Sequence, residues 1–144
     1  EVTRDAYIEK YRPEYPVMRY INSNLPADSR ILFIFLGNRG YYCDREYAFD
    51  MSNNQSKLQS LVKNLRNAEA VSLGLKNIGL THILICWPIF DNWINKSFTV
   101  EDRKTIQALF HNKLKEVFVR NGYGLYALSA PYKFMMRSLK RSFV

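Results

Sequence analysis

The sequence predicts an α/β fold: a three-layer, Rossmann-like mixed sheet with helices on both faces and a C-terminal antiparallel hairpin. Three observations point there. Two short runs, Ile31-Leu32-Phe33-Ile34-Phe35-Leu36 and Thr81-His82-Ile83-Leu84-Ile85-Cys86-Trp87, are apolar without alternation, as central strands covered on both faces are. Between them, Leu58, Leu61, Val62, Leu65 and Ala68 recur three and four apart, the spacing of a helix with one apolar face. Near the end, Asn121-Gly122 sits between the strand formers Val117-Phe118-Val119 and Tyr123 to Leu128, a strong hairpin signal.

Taken in order, residues 1–12 are charged and tyrosine-rich and read as an extended lead-in. Pro13 can open a short helix whose apolar positions are Tyr15, Val17, Met18, Tyr20 and Ile21. Leu25 precedes Pro26, which pushes it out of the helical region and stops the helix. Ala27-Asp28-Ser29 is then a turn into the strand at 31–36. Tyr41 to Phe49 holds a second, less buried strand, and the polar stretch Asp50 to Asn54 offers helix caps. Helix begins at Gln55 and resumes through Ala70, Val71, Leu73 and Ile78, with Gly74 a weak point and Gly79 the left-handed residue that ends it. After the strand at 81–87, Pro88 is a stop, and a long loop runs through Trp93 and Lys96. Thr99 caps a last helix with Asp102 in its first turn and Ile106, Leu109, Phe110 and Leu114 on its buried face. The two apolar strands should be parallel neighbours joined by a right-handed crossover.

At 144 residues, with 47% hydrophobic and 15% aromatic residues, the chain has the size and the apolar material for a single domain over 1–144. The longest apolar run, Ile31 to Leu36, is far shorter than a membrane span. Glu1-Val2-Thr3-Arg4-Asp5 carries neither an initiator Met nor a signal peptide, so a fragment cut from a longer protein is expected. The formal charge of +8 admits an acidic partner: nucleic acid, an anionic membrane surface or a phosphorylated ligand. It is also compatible with solubility alone. The tail 131–144 adds Lys133, Arg137, Lys140 and Arg141 with no acid, interleaved with the aromatics Tyr132, Phe134 and Phe143 and with Met135, Met136 and Leu139. That mixture suits nucleic acid, a membrane surface or plain solvent. Cys43 and Cys86 are too few for a disulfide framework and lack zinc spacing; a bridge between them is left open.

The segment with most functional promise is Gly37-Asn38-Arg39-Gly40, where an apolar strand breaks at glycine. It lacks the spacing of a dinucleotide fingerprint or a Walker loop, so it is either a turn or a loose anion site at the carboxyl end of the sheet. The candidate ligand residues are Asn38, Arg39, Tyr41, Tyr42 and Asp44. No catalytic set, metal site or cofactor is expected. His82 and His111 are isolated, Asp44, Glu46 and Asp50 lack an acid–base pattern, and Trp87, Phe90 and Trp93 form either a packed loop or an aromatic ligand wall.

The stretch YPVMRYINSNLPADSRILFIFLGNRGYYCDREYAFD, residues 15–50, resembles the region beyond the last membrane span of some bacterial polytopic glycosyltransferases, the dolichyl-phosphate-mannose–protein mannosyltransferase-like group and its lipid-linked-sugar relatives. The resemblance continues in Tyr41-Tyr42-Cys43-Asp44-Arg45, in Leu75-Lys76-Asn77-Ile78-Gly79-Leu80-Thr81-His82-Ile83 and in the terminal VFVRNGYGLYALS, residues 117–129. It implies a domain on the extracytoplasmic (periplasmic) face of a bacterial inner membrane, tethered by upstream spans, in an enzyme that uses a polyprenyl-phosphate sugar donor. That family's catalytic acids lie in its membrane portion, so the fragment itself is expected to be a non-catalytic accessory domain. Its expected partners are the membrane portion and, beyond that, anionic lipid or lipid-linked sugar. The competing expectation is a free-standing α/β domain that binds a nucleotide or small phosphorylated ligand at Gly37 to Tyr42. Nucleic-acid binding ranks last.

Overall fold

The computed structural model describes residues 3–129. Thr3 accepts from the Ala6 backbone N–H at 3.1 Å and so caps α1, Arg4–Tyr11, which replaces the expected extended lead-in. The cap, Asp5 in the first turn and Lys10 in the last all favour a helix despite the missing apolar stripe. α1 buries no residue and is held by polar contacts. Arg19 pairs with Asp5, Tyr15 Oη donates to Asp5 at 3.0 Å, and Arg120 lies 2.7 Å from Glu9. Pro16, not Pro13, occupies the first turn of α2, Tyr15–Asn24, which buries Val17, Met18 and Ile21.

β1, Arg30–Ile34, lies between β2, Glu46–Phe49, and β5, His82–Cys86, both parallel to it. β5 pairs antiparallel with β7, Tyr123–Leu128, and β7 pairs antiparallel with β6, Leu114–Arg120, completing a five-stranded mixed sheet in the order β2-β1-β5-β7-β6. The two strands expected to be central and parallel therefore are. Asn121 (φ 57°) and Gly122 (φ 83°) both take positive φ, the paired geometry that a two-residue hairpin turn requires.

Alternation along the strands splits the core into two. Ile31, Phe33, Leu84 and Leu125 face α2. Leu32, Ile34, Ile83 and Ile85 face the opposite way, toward α3, Lys57–Leu65, α4, Ala68–Asn77, α5, Trp87–Ser97, and α6, Val100–Asn112. Helices thus cover both faces, and each buried Leu, Ile or Phe contributes about 1.5–3 kcal/mol.

Four local expectations are corrected. The helix expected from Gln55 starts at Lys57. Ahead of it, β3, Met51–Ser52, and β4, Gln55–Ser56, form a small hairpin around Asn53 (φ 53°) and Asn54 (φ 61°). Asparagine tolerates that conformation, which makes the pair a turn rather than a cap. The cap is Ser56, and the buried Asp50 carboxylate adds a second acceptor, taking the Leu58 N–H at 2.9 Å and the Ser56 hydroxyl at 2.5 Å. Burial pushes the Asp50 carboxyl above its usual range, against the pull of those hydrogen bonds. Second, Ala68 does not extend α3: Arg66 turns left-handed (φ 51°), and Asn67 caps α4 by accepting from Ala70 N–H. Third, the loop expected at 88–96 is α5. Pro88 sits in its first turn, where a proline needs no N–H, so it ends the strand and opens a helix together. Thr99 caps α6 as expected, accepting from Asp102 N–H at 3.1 Å. Leu114, assigned to that helix from its spacing, begins β6.

Two of these local features are directly measurable. Arg66 is exposed, so Arg66→Gly removes the left-handed penalty and should raise stability by about 0.5–1 kcal/mol in urea unfolding. His82 is partly buried beside Thr81 Oγ1, 2.7 Å from Nδ1, and burial lowers its pKa. A lowered folded-state pKa means the unfolded chain binds the proton more readily. Stability is therefore full above the ordinary histidine pKa of about 6.5 and falls below it. His82→Gln should flatten that part of the pH–stability curve.

Candidate functional site

The connection between β1 and β2, residues 35–45, contains no helix, although the two strands are parallel neighbours. It departs from β1 through Phe35, whose φ of 64° is strained for a bulky aromatic residue. The Phe35 ring packs edge-on against Trp93 at 5.0 Å, and Leu36 joins the α2-side core. Between these turns and the end of β2 lies a cavity of about 320 Å³ lined by Phe33, Phe35, Leu36, Gly37, Asn38, Phe49 and Met51. It sits at the carboxyl ends of β1 and β2, where open α/β sheets bind ligands. Its walls are apolar apart from the Asn38 amide, so it suits an apolar group better than a phosphate.

The remainder of the loop turns toward α2. Arg39 reaches Glu14 at 3.1 Å and the Tyr123 hydroxyl at 3.2 Å. Glu14 is only 1% exposed, while the Arg39 side chain is 41% exposed, so the guanidinium partly screens a buried carboxylate from solvent. Burial holds the Tyr123 phenol above its usual range, so it stays neutral and offers its oxygen as an acceptor. The Asn22 amide N–H₂ donates to the Tyr42 carbonyl oxygen at 2.7 Å, and Asn22 Oδ1 accepts the Asp44 N–H at 2.8 Å. Tyr42 also meets Tyr15 edge-to-face at 5.0 Å. Arg45 donates to the carbonyls of Asn22, Leu25 and Pro26 at the end of α2, supplying donors where a helix leaves carbonyl groups unpaired. Tyr41 projects outward at 84% exposure. Gly40 is where the Tyr47 ring crosses the loop: an added Cβ would lie 2.5 Å from that ring, which itself stacks on Phe33 at 4.5 Å.

The five candidate residues therefore separate. Asn38 lines the cavity, and Tyr41 is exposed with its ring edge-on against Tyr42 at 5.0 Å. Arg39 is engaged in an ion pair, and the backbones of Tyr42 and Asp44 are tied to α2. Sequence reasoning missed Glu14, Asn22 and Arg45, which organise the loop, and Phe35. Arg45, a cation between two acids beside apolar strands, carries a signal; Glu14 and Phe35 carry none that periodicity reveals. Cys43 and Cys86 are unpaired, and burial raises the Cys43 thiol pKa, which makes it a poor nucleophile. Among the described residues, no three His, Cys, Asp or Glu side chains gather as metal ligands, and no helix is long and apolar enough to cross a membrane. Trp87, Phe90 and Trp93 lie on α5, in an aromatic cluster rather than a loop.

No family model matches the sequence, and no curated protein matches it. Among solved structures, the chain is similar to the C-terminal globular domain of an oligosaccharyltransferase from Archaeoglobus fulgidus, with a TM-score of 0.52. The match covers 90% of this chain and 99% of that one, at 9% sequence identity. The two share a fold. At that identity, the likeness concerns architecture alone and transfers no residue.

The segments that carry the sequence resemblance do structural work in this architecture. The Gly37–Arg45 stretch latches the loop to α2 and to Glu14. In the 75–83 stretch, Gly79 (φ 90°) ends α4, and Thr81 joins β5 to the start of β1: its N–H donates to Arg30 O at 2.9 Å and its hydroxyl accepts Arg30 N–H at 3.0 Å.

Proposed function

We propose that this chain is a non-catalytic accessory domain of a bacterial membrane glycosyltransferase that uses a polyprenyl-phosphate sugar donor. It stands on the extracytoplasmic face and docks on the membrane portion of its own parent protein. The observation that carries the reading is the shared fold with a globular domain of an oligosaccharyltransferase over nearly the whole length of both chains. The engagement of Arg39, Tyr42, Asp44 and Arg45 in loop architecture supports it, because a motif spent on shape fits a domain used for its surface. Asn38 and Tyr41 are the loop residues we assign to contact with the parent protein or the donor. The charge of +8 favours an anionic bilayer by about 1 kcal/mol per well-placed basic residue.

The test uses the full-length product of the gene. Replacing residues 3–129 by a flexible linker should lower sugar transfer from a polyprenyl-phosphate donor in proteoliposomes at least about tenfold, whereas the 144-residue chain alone should transfer none. A full-length product without membrane spans, undiminished transfer after the replacement, or transfer by the isolated chain would each overturn the reading.

A further inference from the structure

A second concavity lies on the opposite side of the sheet from α2, between α5 and α6. It has a volume of about 220 Å³, close to the room one pyranose ring needs. Its floor is aromatic. Trp87 packs against Phe90 at 5.4 Å, Phe110 at 5.3 Å and Tyr126 at 5.8 Å, so the indole is fixed from three sides. The Trp87 Nε1–H donates to the Tyr126 hydroxyl at 2.8 Å, which removes the remaining rotational choice. Two ring edges therefore meet a bare residue of β7: a Cβ on Gly124 would lie 2.5 Å from Trp87 Nε1 and 2.7 Å from Tyr126 Oη.

The rim is polar and regularly spaced. Asp91 and Asn95 stand four apart on α5, and Arg103 and Gln107 four apart on α6, so each pair occupies one helix face, and all four line the cleft. Arg103 also donates to the Asn95 carbonyl at 3.4 Å, bridging the two helices at the mouth. The rim thus combines one carboxylate, one guanidinium and two amides: donors and acceptors in balance, with no net charge.

A rigid aromatic floor under a neutral, two-sided hydrogen-bonding rim matches one ligand chemistry closely. A sugar ring has an axial C–H face that lies on an aromatic surface and equatorial hydroxyl groups that both donate and accept at its perimeter. A phosphate would need excess positive charge, and a purely apolar ligand would leave the rim groups desolvated without partners. We propose that the α5–α6 cleft binds a single neutral hexose unit of a glycan, with Trp87 as the platform and Asp91, Asn95, Arg103 and Gln107 as the hydroxyl-reading groups. The choice of a sugar over other polyols rests on the proposed glycosyltransferase role; the existence of the site does not.

The experiment is a titration of the isotopically labelled 144-residue chain with methyl glycosides of hexoses and of an N-acetylhexosamine, monitored through the two tryptophan indole N–H resonances. Trp93→Phe assigns them. The Trp87 resonance should move saturably in the millimolar range, while that of Trp93, which does not line the cleft and meets its lining through the Phe90 ring at 5.9 Å, moves far less. Asp91→Ala and Gln107→Ala, both exposed positions, should each weaken binding about fivefold with the unfolding midpoint unchanged. A Trp87 signal that no glycoside moves, an equal shift with inorganic phosphate, or rim variants that bind as tightly as the native chain would overturn the proposal. If the cleft binds sugar but the linker replacement leaves full-length transfer intact, the site stands and the accessory role falls; the reverse pair of results has the opposite meaning.

Discussion

Adding one methyl group at Gly124 should destabilise the protein by about 3 kcal/mol and lower its melting temperature by roughly 10 °C. The new carbon has nowhere to go. It would lie 2.5 Å from Trp87 Nε1, 2.7 Å from Tyr126 Oη and 2.8 Å from Tyr126 Cε2, all atoms of rigid rings rather than ends of flexible chains. Moving either ring breaks the 2.8 Å hydrogen bond between them and disturbs the packing of Trp87 on Phe90 and Phe110. Backbone conformation is not at issue, since Gly124 has no positive φ. Gly74→Ala is the control. Its Cβ meets Leu61 Cδ2 at 3.0 Å, a side-chain end that can yield, and it removes a glycine from the interior of α4. Its effect should therefore stay within about 1 kcal/mol of zero. Thermal unfolding of the two variants separates the cases. A Gly124→Ala protein as stable as the native one would mean the Trp87–Tyr126 pair is not fixed, and would remove the rigid floor on which the α5–α6 cleft depends.

That pair also marks where sequence reading ends. Tyr123 to Leu128 is legible as a strand because Asn121-Gly122 announces the turn, and β1 and β5 are legible because unbroken apolar runs have few other uses. Thr99 and Gly79 are legible because caps act within one turn of chain. The failures are of two kinds. Pro88 and the Asn53-Asn54 pair are local signals with two meanings, and packing decides each: Pro88 by the aromatic cluster that draws α5 onto the sheet, the asparagines by Asp50, which reaches past the hairpin to Leu58. α1 escapes notice because it has no apolar face and rests on partners such as Glu9 with Arg120, more than a hundred residues away. The candidate loop shows the same division. A glycine after an apolar strand points to the carboxyl end of the sheet, and Gly37 and Asn38 do line the cavity there. Whether the next residue is free to bind an anion depends on Glu14, and nothing local to Arg39 predicts that contact. The basic residues expected in the tail 131–144 lie outside the described residues.

The Arg39 contact makes the second large prediction. Arg39→Ala should destabilise the protein by about 2–3 kcal/mol, because it leaves the carboxylate of Glu14, 1% exposed, buried and without its nearest cation. The value sits below that for breaking a fully buried pair for two reasons: Arg39 is itself 41% exposed, and Arg12 lies 3.8 Å from Glu14 as a partial substitute. The asymmetry between partners is the sharper expectation. Glu14→Gln keeps the volume and removes the charge, and the released guanidinium can turn to solvent, so its cost should be about 1 kcal/mol. With Gln at 14, the further loss of Arg39 should matter little, giving a coupling of at least about 1 kcal/mol in a double-mutant cycle. Urea unfolding of the four proteins measures all of this. The same variants decide between two uses of the loop. If Arg39 were held for a nucleotide or phosphorylated ligand, Arg39→Ala would abolish phosphate binding and leave the unfolding midpoint unchanged. From the ion pair with Glu14 and the hydrogen bond to Tyr123, the expected result is a marked loss of stability in Arg39→Ala, read by the unfolding midpoint alone.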